Sequence, residues 1–329
     1  METATPKRIV VVMPAFNEAG CLPELHERLA RMATAESGYR FEFLFVDDGS
    51  SDESLAVLRE LGARDPRVRY LSLSRNFGHQ AALSAGLDHA DGDAVIFLDA
   101  DLQHPPELIP QLLREWEKGA QVVNTARAPS ADLSIFKRAT SAGFYRLINL
   151  IGSVRIQPDG ADFRLLDRQA ADGLRAVRER SRFIRGLVQW IGYRQAVVEY
   201  KPDRRFAGRS RFSPGKMLRL ALDGIYSFTN LPLQLATFLG LSSAVAGFVY
   251  AVYALYLKLV VGTAIQGWTS LLLVVLLMGG VQLITLGILG AYVARIYQEV
   301  RARPIYLIKE SSVRPAQGSA SEQTMVGGP

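Results

Sequence analysis

The sharpest chemical signal in the chain is Asp99-Ala100-Asp101, placed directly behind the apolar run Ala94–Leu98. In an extended segment, residues two apart project to the same side, so both carboxylates can address one ion or one ion-bound diphosphate. Hard divalent cations favour carboxylate and phosphate oxygens and offset charge that builds on a departing diphosphate. An acid behind an apolar run is also an ordinary way to end a strand. A second signal is Asp47-Asp48-Gly49-Ser50, behind Phe41–Val46. An aspartate there can accept from a ribose hydroxyl or a base N–H, and the glycine lets the chain turn close to a ligand. The same residue types also build turns and caps unaided, with Ser51 or Asp52 placed to cap the next helix. No Gly-x-Gly-x-x-Gly follows the first strand and Gly-Lys-Ser/Thr is absent, which argues against a dinucleotide fingerprint and a phosphate-binding loop.

These groups need a scaffold that brings strand ends together. Candidate strands are residues 9–13, 41–46, 68–73, 94–98 and 121–125, and helical patterns lie between them around 22–33, 54–61, 80–90 and 106–116. Strands separated by helices of this length predict an α/β fold with a mostly parallel, doubly wound sheet. In such sheets the ligand sits beyond the carboxyl ends of the strands, which here carry Asn17-Glu18, Asp47-Asp48, Ser74-Arg75-Asn76 and Asp99-Ala100-Asp101. Residues 131–223 form a second region, with a helix containing Phe136 and Phe144, a strand-like Asp162–Leu166, and two basic amphipathic stretches, Arg180–Trp190 and Lys216–Ile225. Such helices either lie in a membrane interface with their arginines at the headgroups or pack on the sheet like any surface helix. Trp190 and Trp268 suit interfacial anchoring, with core packing equally open for Trp190.

The charges divide the chain further. Residues 1–132 carry 13 bases and 21 acids, whereas residues 133–219 carry 19 bases and 7 acids. Lys258 is the only formal charge between Gly224 and Ala294, and it separates charge-free runs of 34 and 36 residues. Each run exceeds the roughly 20 apolar residues that a membrane-crossing helix needs. Two spanning helices are predicted, over about 233–257 and 269–294, with Pro232 opening the first and a turn from Gly262 to Gly267. Bases outnumber acids before and after the pair, which places both large ends in the cytoplasm. Gly279, Gly280, Gly287 and Gly290 permit close helix packing and self-association. The tail from Ser311 reads as disordered. Cys21 is the single cysteine, which excludes an intrachain disulfide and a thiolate cluster. A wholly soluble chain, a fibre and a nucleic-acid binder are all disfavoured, the last because no aromatic-basic recognition motif accompanies the bases.

In this order, the pieces Val12-Met13-Pro14-Ala15-Phe16-Asn17-Glu18, Val46-Asp47-Asp48-Gly49-Ser50-Ser51-Asp52, Ser74-Arg75-Asn76-Phe77-Gly78, Asp99–Glu107, Asp162-Phe163-Arg164-Leu165, Arg182–Gly186, Ala207-Gly208-Arg209-Ser210 and Asp223-Gly224-Ile225 resemble the family 2 glycosyltransferases of the GT-A fold. The likeness covers roughly residues 8–297 and is closest to membrane-anchored polyprenyl-phosphate sugar transferases, relatives of dolichol-phosphate mannose synthases. It implies a Rossmann-like catalytic domain, juxtamembrane amphipathic helices and two C-terminal transmembrane helices. The corresponding divisions are a nucleotide-sugar half (1–130), an acceptor half with juxtamembrane helices (131–230), the membrane pair (231–296) and a partly disordered cytoplasmic tail (297–329).

By that resemblance, Pro14, Asn17, Glu18, Asp48 and Arg75 belong to the donor site, as does Asp99. Asp99 and Asp101, with Gln103, would hold Mg2+ or Mn2+ against the diphosphate, and Asp162 would lie near the reacting centre. Arg127, Lys137 and Ser141 match positions that hold the acceptor phosphate. His104 reads as a supporting residue rather than a ligand. His79 stands where many relatives carry lysine, and a neutral imidazole would supply less positive charge. The implied reaction is inverting, metal-dependent transfer of a hexose to a polyprenyl phosphate such as undecaprenyl phosphate, at the cytoplasmic face of a bacterial inner membrane. UDP-glucose is the first-choice donor, with other UDP-hexoses or GDP-mannose behind it. A polysaccharide synthase would need more spanning helices and a Gln-x-x-Arg-Trp signature that is missing; a non-catalytic membrane scaffold is the other rival.

Overall fold

A computed structural model describes residues 5–127, 160–180, 182–200, 231–261 and 267–313. The helix expected around Phe136 and Phe144, the stretch Lys216–Ile225, the turn beginning at Gly262, and Lys137 and Ser141 all lie outside the described residues. The chain divides into two compact units, a sheet unit that includes residues 304–313 and a helical unit that ends at Arg303.

The sheet unit opens with β1 (Lys7–Ala15), α1 (Leu22–Ala35), β2 (Tyr39–Asp47), α2 (Ser54–Arg64), β3 (Val68–Leu73), α3 (His79–His89), β4 (Ala94–Phe97), a short 3-10 turn Pro106–Leu108, α4 (Ile109–Glu117) and β5 (Val122–Arg127). After these come β6 (Gly160–Asp167), α5 (Arg168–Ala176), α6 (Ile184–Trp190), β7 (Gln195–Tyr200) and, past the membrane helices in sequence, β8 (Ile308–Ser311). Strand order across the single sheet is β7-β5-β6-β4-β1-β2-β3-β8. The ladders β1–β2, β1–β4 and β2–β3 are parallel, as the alternating pattern predicts, and β5 pairs in parallel with β7, a strand the sequence did not suggest.

The carboxyl-terminal halves of the central strands are buried on both faces, Ile9–Ala15 in β1 and Phe43–Asp47 in β2, and are mostly apolar for that reason. Ile9, Val11, Met13, Phe43 and Phe45 join the core on the side of α1, whose Leu22, Leu25 and Leu29 are fully buried. On the other face α3 comes so close that a Cβ on Gly86 would stand 2.2 Å from Val12 Cγ1 and 3.1 Å from Val46 Cγ2. Pro14 is buried within β1, where a missing N–H would ordinarily break a ladder. It is tolerated because pairing with β4 ends two residues earlier, at Val12 opposite Phe97.

Two features depart from the simple parallel pattern. First, β6 runs antiparallel between β4 and β5, with Phe97 opposite Arg164 and Ala94 opposite Asp167. Second, β8 pairs antiparallel with β3, and the chain is held there as far as Ser312, whose amide bonds Tyr70 O at 3.0 Å, while Arg59 and Glu310 form an ion pair. Residues 308–311 alternate half-buried and exposed positions, and this strand covers an edge that would otherwise be open.

Of the two basic stretches, Arg180–Trp190 packs its apolar residues on the sheet unit. Ile184, Leu187 and Val188 of α6 are buried there, while Trp190 stays 62% exposed, which sets aside the core-packing reading for that residue.

The helical unit holds α7 (Leu231–Tyr256), a π-helical turn (Leu257–Val261) and α8 (Trp268–Val300). Each contains a 24-residue apolar stretch long enough to cross a bilayer. Phe238, Phe248, Leu259, Leu283 and Leu286 stand exposed along them, as lipid-facing surface requires. The last helix continues past the expected end at Ala294 to Val300.

Candidate active site

The polar residues behind the strands meet at one end of the sheet, and local geometry explains how. Asn17 takes φ +57, a left-handed conformation that asparagine tolerates better than most residues. Its amide bonds Ser50 Oγ at 2.9 Å and its Oδ1 accepts from the Ser51 amide at 2.8 Å. The Glu18 amide bonds Ser54 Oγ at 3.0 Å, so the loop after β1 is stapled to the loop after β2. Asp52 Oδ1 accepts the Ser54 amide at 3.0 Å, but the N-cap position of α2 falls to Glu53, not to Ser51 or Asp52 as the sequence suggested.

Asp47 accepts from the Ser50 amide at 3.0 Å and from Ser72 Oγ at 2.8 Å. Asp48 is 3% exposed and receives the Phe77 amide at 2.8 Å on Oδ1 and the Gly78 amide at 2.9 Å on Oδ2. Burial pushes the Asp48 carboxyl above its ordinary range, against the pull of these two amides. Asp48 therefore anchors the segment that leads into α3. Gly49, at φ +67, lies so close to that segment that a Cβ would be 2.4 Å from the Arg75 carbonyl carbon. Arg75 itself is exposed, with its guanidinium 4.1 Å from the Phe77 ring centroid.

At the head of α3, His79 Nε2 is 2.8 Å from Asp99 Oδ1, and His104 Nε2 is 3.3 Å from Asp99 Oδ2. Burial opposes the charge on Asp99, but the bonds from His104 and then His79 hold its carboxyl well below the usual carboxylate range. Burial likewise disfavours an imidazolium at His79, yet the Asp99 bond and the Asp99 and Asp162 charges raise its pKa overall. The Asp99 and Asp162 carboxylates thus favour the protonated ring at His79. Asp101 accepts from the Gln103 amide at 3.1 Å and from Gln103 Nε2 at 2.5 Å, and among the described residues no cation pairs with it. Leu102 between them is held at φ +60, a strained conformation for a branched side chain and one that recurs at functional sites.

The antiparallel course of β6 brings in the next acid. Its pairing with β4 ends at Phe97 opposite Arg164, and Asp162, two residues beyond, is close enough to feel the charge of Asp99. Asp162 is 9% exposed and forked by Arg185, with Nε to Oδ1 at 2.7 Å and Nη2 to Oδ2 at 2.9 Å. Arg164 is more distant, at 3.5 Å. Burial works against ionisation of Asp162, but the Arg185 bonds and the two guanidinium charges keep its carboxyl below the ordinary range. A carboxylate so held is a charge and an anchor, not a strong base. Burial lowers Arg164 to about 10. Arg127 ends β5 in register with Tyr200, at the same end of the sheet as Asp162.

Of the residues expected from sequence, Pro14, Asn17, Glu18, Asp48, Arg75, Asp99, Asp101, Gln103 and Asp162 therefore lie on the strand ends and connecting loops at one end of the sheet. Asn17 and Asp48 spend their described hydrogen bonds on protein loops. Arg185 carried no assigned role in the sequence, and its fork to Asp162, 23 residues away, has no local signature.

No group of three or more His, Cys, Asp or Glu suited to a metal occurs among the described residues. Two carboxylates on a strand end still fit Mg2+ or Mn2+, because such ions are commonly held by one or two carboxylates plus substrate phosphates and water. Asp101, acidic and without a cationic partner among the described residues, is the better placed of the pair.

The family model described as Glycosyl transferase family 2 matches residues 10–174. The chain is 42% identical over 301 residues to the uncharacterized glycosyltransferase YkcC of Bacillus subtilis (strain 168), covering 92% of this chain and 93% of that protein. It is 41% identical over 304 residues to the SfII prophage-derived bactoprenol glucosyl transferase of Shigella flexneri, covering 92% and 98%. It is 39% identical over 302 residues to the prophage bactoprenol glucosyl transferase homolog of Escherichia coli (strain K12), again covering 92% and 98%. With the strand-end acids and the nearly full-length likeness together, the chain belongs to glycosyl transferase family 2.

Proposed function

We propose that the protein transfers glucose from UDP-glucose to the phosphate of a polyprenyl lipid such as undecaprenyl phosphate, at the cytoplasmic face of a bacterial inner membrane. The observation that carries the reading is the nearly end-to-end likeness to bactoprenol glucosyl transferases, which takes in both the acidic strand ends and the two membrane-length helices. An acceptor phosphate is already anionic at neutral pH and needs little deprotonation. The difficult parts are holding the donor in line and bringing two anions together.

Residues 1–130 form the donor half in this reading. Asp48, Gly49 and Asn17 fix the loops around the nucleotide, and Arg75, exposed on its Phe77 platform, offers a positive charge to the donor. Asp99 and Asp101 would hold Mg2+ or Mn2+, with Gln103 fixing Asp101; the ion, when bound, neutralises charge on the leaving diphosphate. Asp162, held ionised by Arg185, orients the acceptor or steadies positive charge at the sugar carbon. Residues 131–230 form the acceptor half in this reading, with Arg127 at its border and with Lys137 and Ser141 assigned to the lipid phosphate. Attack opposite the leaving group inverts the anomeric centre. The excess of bases on both sides of the helical pair favours cytoplasmic termini.

The test is the full-length protein in vesicles containing undecaprenyl phosphate, given radiolabelled UDP-glucose, UDP-galactose or GDP-mannose, with divalent cation or with chelator. Label should enter the organic phase from UDP-glucose and only with cation. Transfer from GDP-mannose alone overturns the sugar assignment, and absence of lipid label from all donors overturns the reaction.

A further inference from the structure

Behind Asp99 lies a polar pair for which the reaction above has assigned no task. His104 is 2% exposed and Tyr200 6% exposed. Tyr200 Oη is 2.6 Å from His104 Nδ1, and the other ring nitrogen of His104 faces Asp99 Oδ2 at 3.3 Å. The rings are wedged together with Phe163, whose centroid is 5.7 Å from that of His104 and 6.4 Å from that of Tyr200. Tyr200 ends β7, and His104 follows the Asp99–Asp101 loop, so the contact ties the sheet's edge strand to the central loop.

The direction of the bonds follows from chemistry. An ionised carboxylate only accepts, so the 3.3 Å approach of His104 Nε2 to Asp99 Oδ2 favours an N–H over a lone pair at that nitrogen. A neutral imidazole has one N–H, which leaves Nδ1 as an acceptor for the tyrosine hydroxyl. Tyr200 therefore selects the tautomer that His104 needs in order to donate to Asp99. The two oxygens of Asp99 are then unequal. Oδ2 is fixed from behind by a buried ring, whereas Oδ1 meets His79, whose side chain is 41% exposed. Oδ1 is the oxygen open to exchange its partner.

We infer that Tyr200 and His104 are positioning residues that lock the Asp99 carboxylate with Oδ2 turned inward and Oδ1 presented to the donor side, an inference that rests on the reading of Asp99 as a cation and diphosphate site. Groups that orient a ligand from behind typically contribute 10- to 100-fold in metal affinity.

The experiment uses the full-length protein in detergent and titrates Mn2+, alone and with UDP, following free Mn2+ by electron paramagnetic resonance. Tyr200→Phe should weaken Mn2+ binding about 10-fold. His104→Gln retains a donor near the Nε2 position and should bind better than His104→Leu. In the His104→Gln background, Tyr200→Phe should have no further effect, since the tautomer it selects no longer exists; a merely structural tyrosine would give the same loss in both backgrounds. Wild-type Mn2+ affinity in Tyr200→Phe, or an equal loss in both backgrounds, overturns the inference while leaving the cation site standing. A wild-type protein that takes up no Mn2+ with or without UDP overturns the cation reading and the inference together. Should Tyr200→Phe fail to fold, the His104→Gln and His104→Leu comparison decides, and equal affinities overturn the inference.

Discussion

Replacing Gly49 with alanine should damage donor binding through packing and strain, without removing any polar group. The backbone at Gly49 has φ +67, where an alanine costs about 1–2 kcal/mol. The added Cβ would lie 2.4 Å from the Arg75 carbonyl carbon, 2.7 Å from Arg75 Cα and 2.7 Å from the Asn76 nitrogen. Ordinary carbon contacts begin near ~3.5 Å, so the two loops must separate by about 1 Å. Overpacking of this kind costs about 1–3 kcal/mol, which brings the total to about 2–5 kcal/mol. The same opening would stretch the 2.8 and 2.9 Å bonds from Phe77 and Gly78 to Asp48 beyond hydrogen-bonding range. His79, the next residue, would be drawn off Asp99. The assay is thermal unfolding of the full chain together with donor KM. Unfolding should shift down by roughly 2–4 °C per kcal/mol for a domain of this size, and KM for UDP-glucose should rise. Unchanged melting and unchanged donor KM would refute the close approach of these loops.

Three other perturbations probe separate parts of the molecule. Asp101→Asn should lower turnover on the order of 100-fold, the scale for losing one charge-stabilising group, and should flatten the dependence on added cation; an unaltered cation titration with normal turnover would remove Asp101 from the site. Cys21 is 4% exposed and burial, aided by Glu18, raises its thiol from 9.0 to about 11. Because the raised value belongs to the folded state, the protonated thiol favours folding below pH ~9 and that contribution fades as pH climbs through about 11. Iodoacetamide at pH 8 should therefore label Cys21 only after denaturation, and rapid labelling of native protein, read by mass spectrometry, would contradict its placement. Truncation after Arg303 removes Tyr306, which bonds Asp88 at 2.9 Å, and strips β8 from the edge of β3. The shortened protein should self-associate through that bare strand on size-exclusion chromatography, and an unchanged elution profile would show that the edge needs no cover.

Much of the scaffold was legible along the chain because its signals are local. The strands of residues 9–13, 41–46 and 68–73 are rich in apolar residues that pack into the core, and the membrane helices stand out because charge is excluded from lipid. The acidic pairs announced themselves by falling behind apolar runs. Local periodicity, however, carries no information about which strand ends become neighbours. Nothing around Asp162 foretells that β6 enters antiparallel between β4 and β5, which brings that acid near Asp99 and within reach of Arg185. Nothing around Asp48 foretells that both its oxygens serve the amides of Phe77 and Gly78, about 30 residues on, rather than being left free. The tail shows the same limit: Ser311 and its neighbours look like linker, yet β3, some 240 residues earlier, supplies the unpaired amides and carbonyls that order them.

Residue type and spacing thus settled which groups this chain has available, acidic strand ends suited to the proposed cation site and two membrane-length apolar helices. Sheet register, a property of every strand packing at once, settled which charges face one another: Asp99 between two histidines, Asp162 against Arg185, and Asp101 without a cation of its own among the described residues.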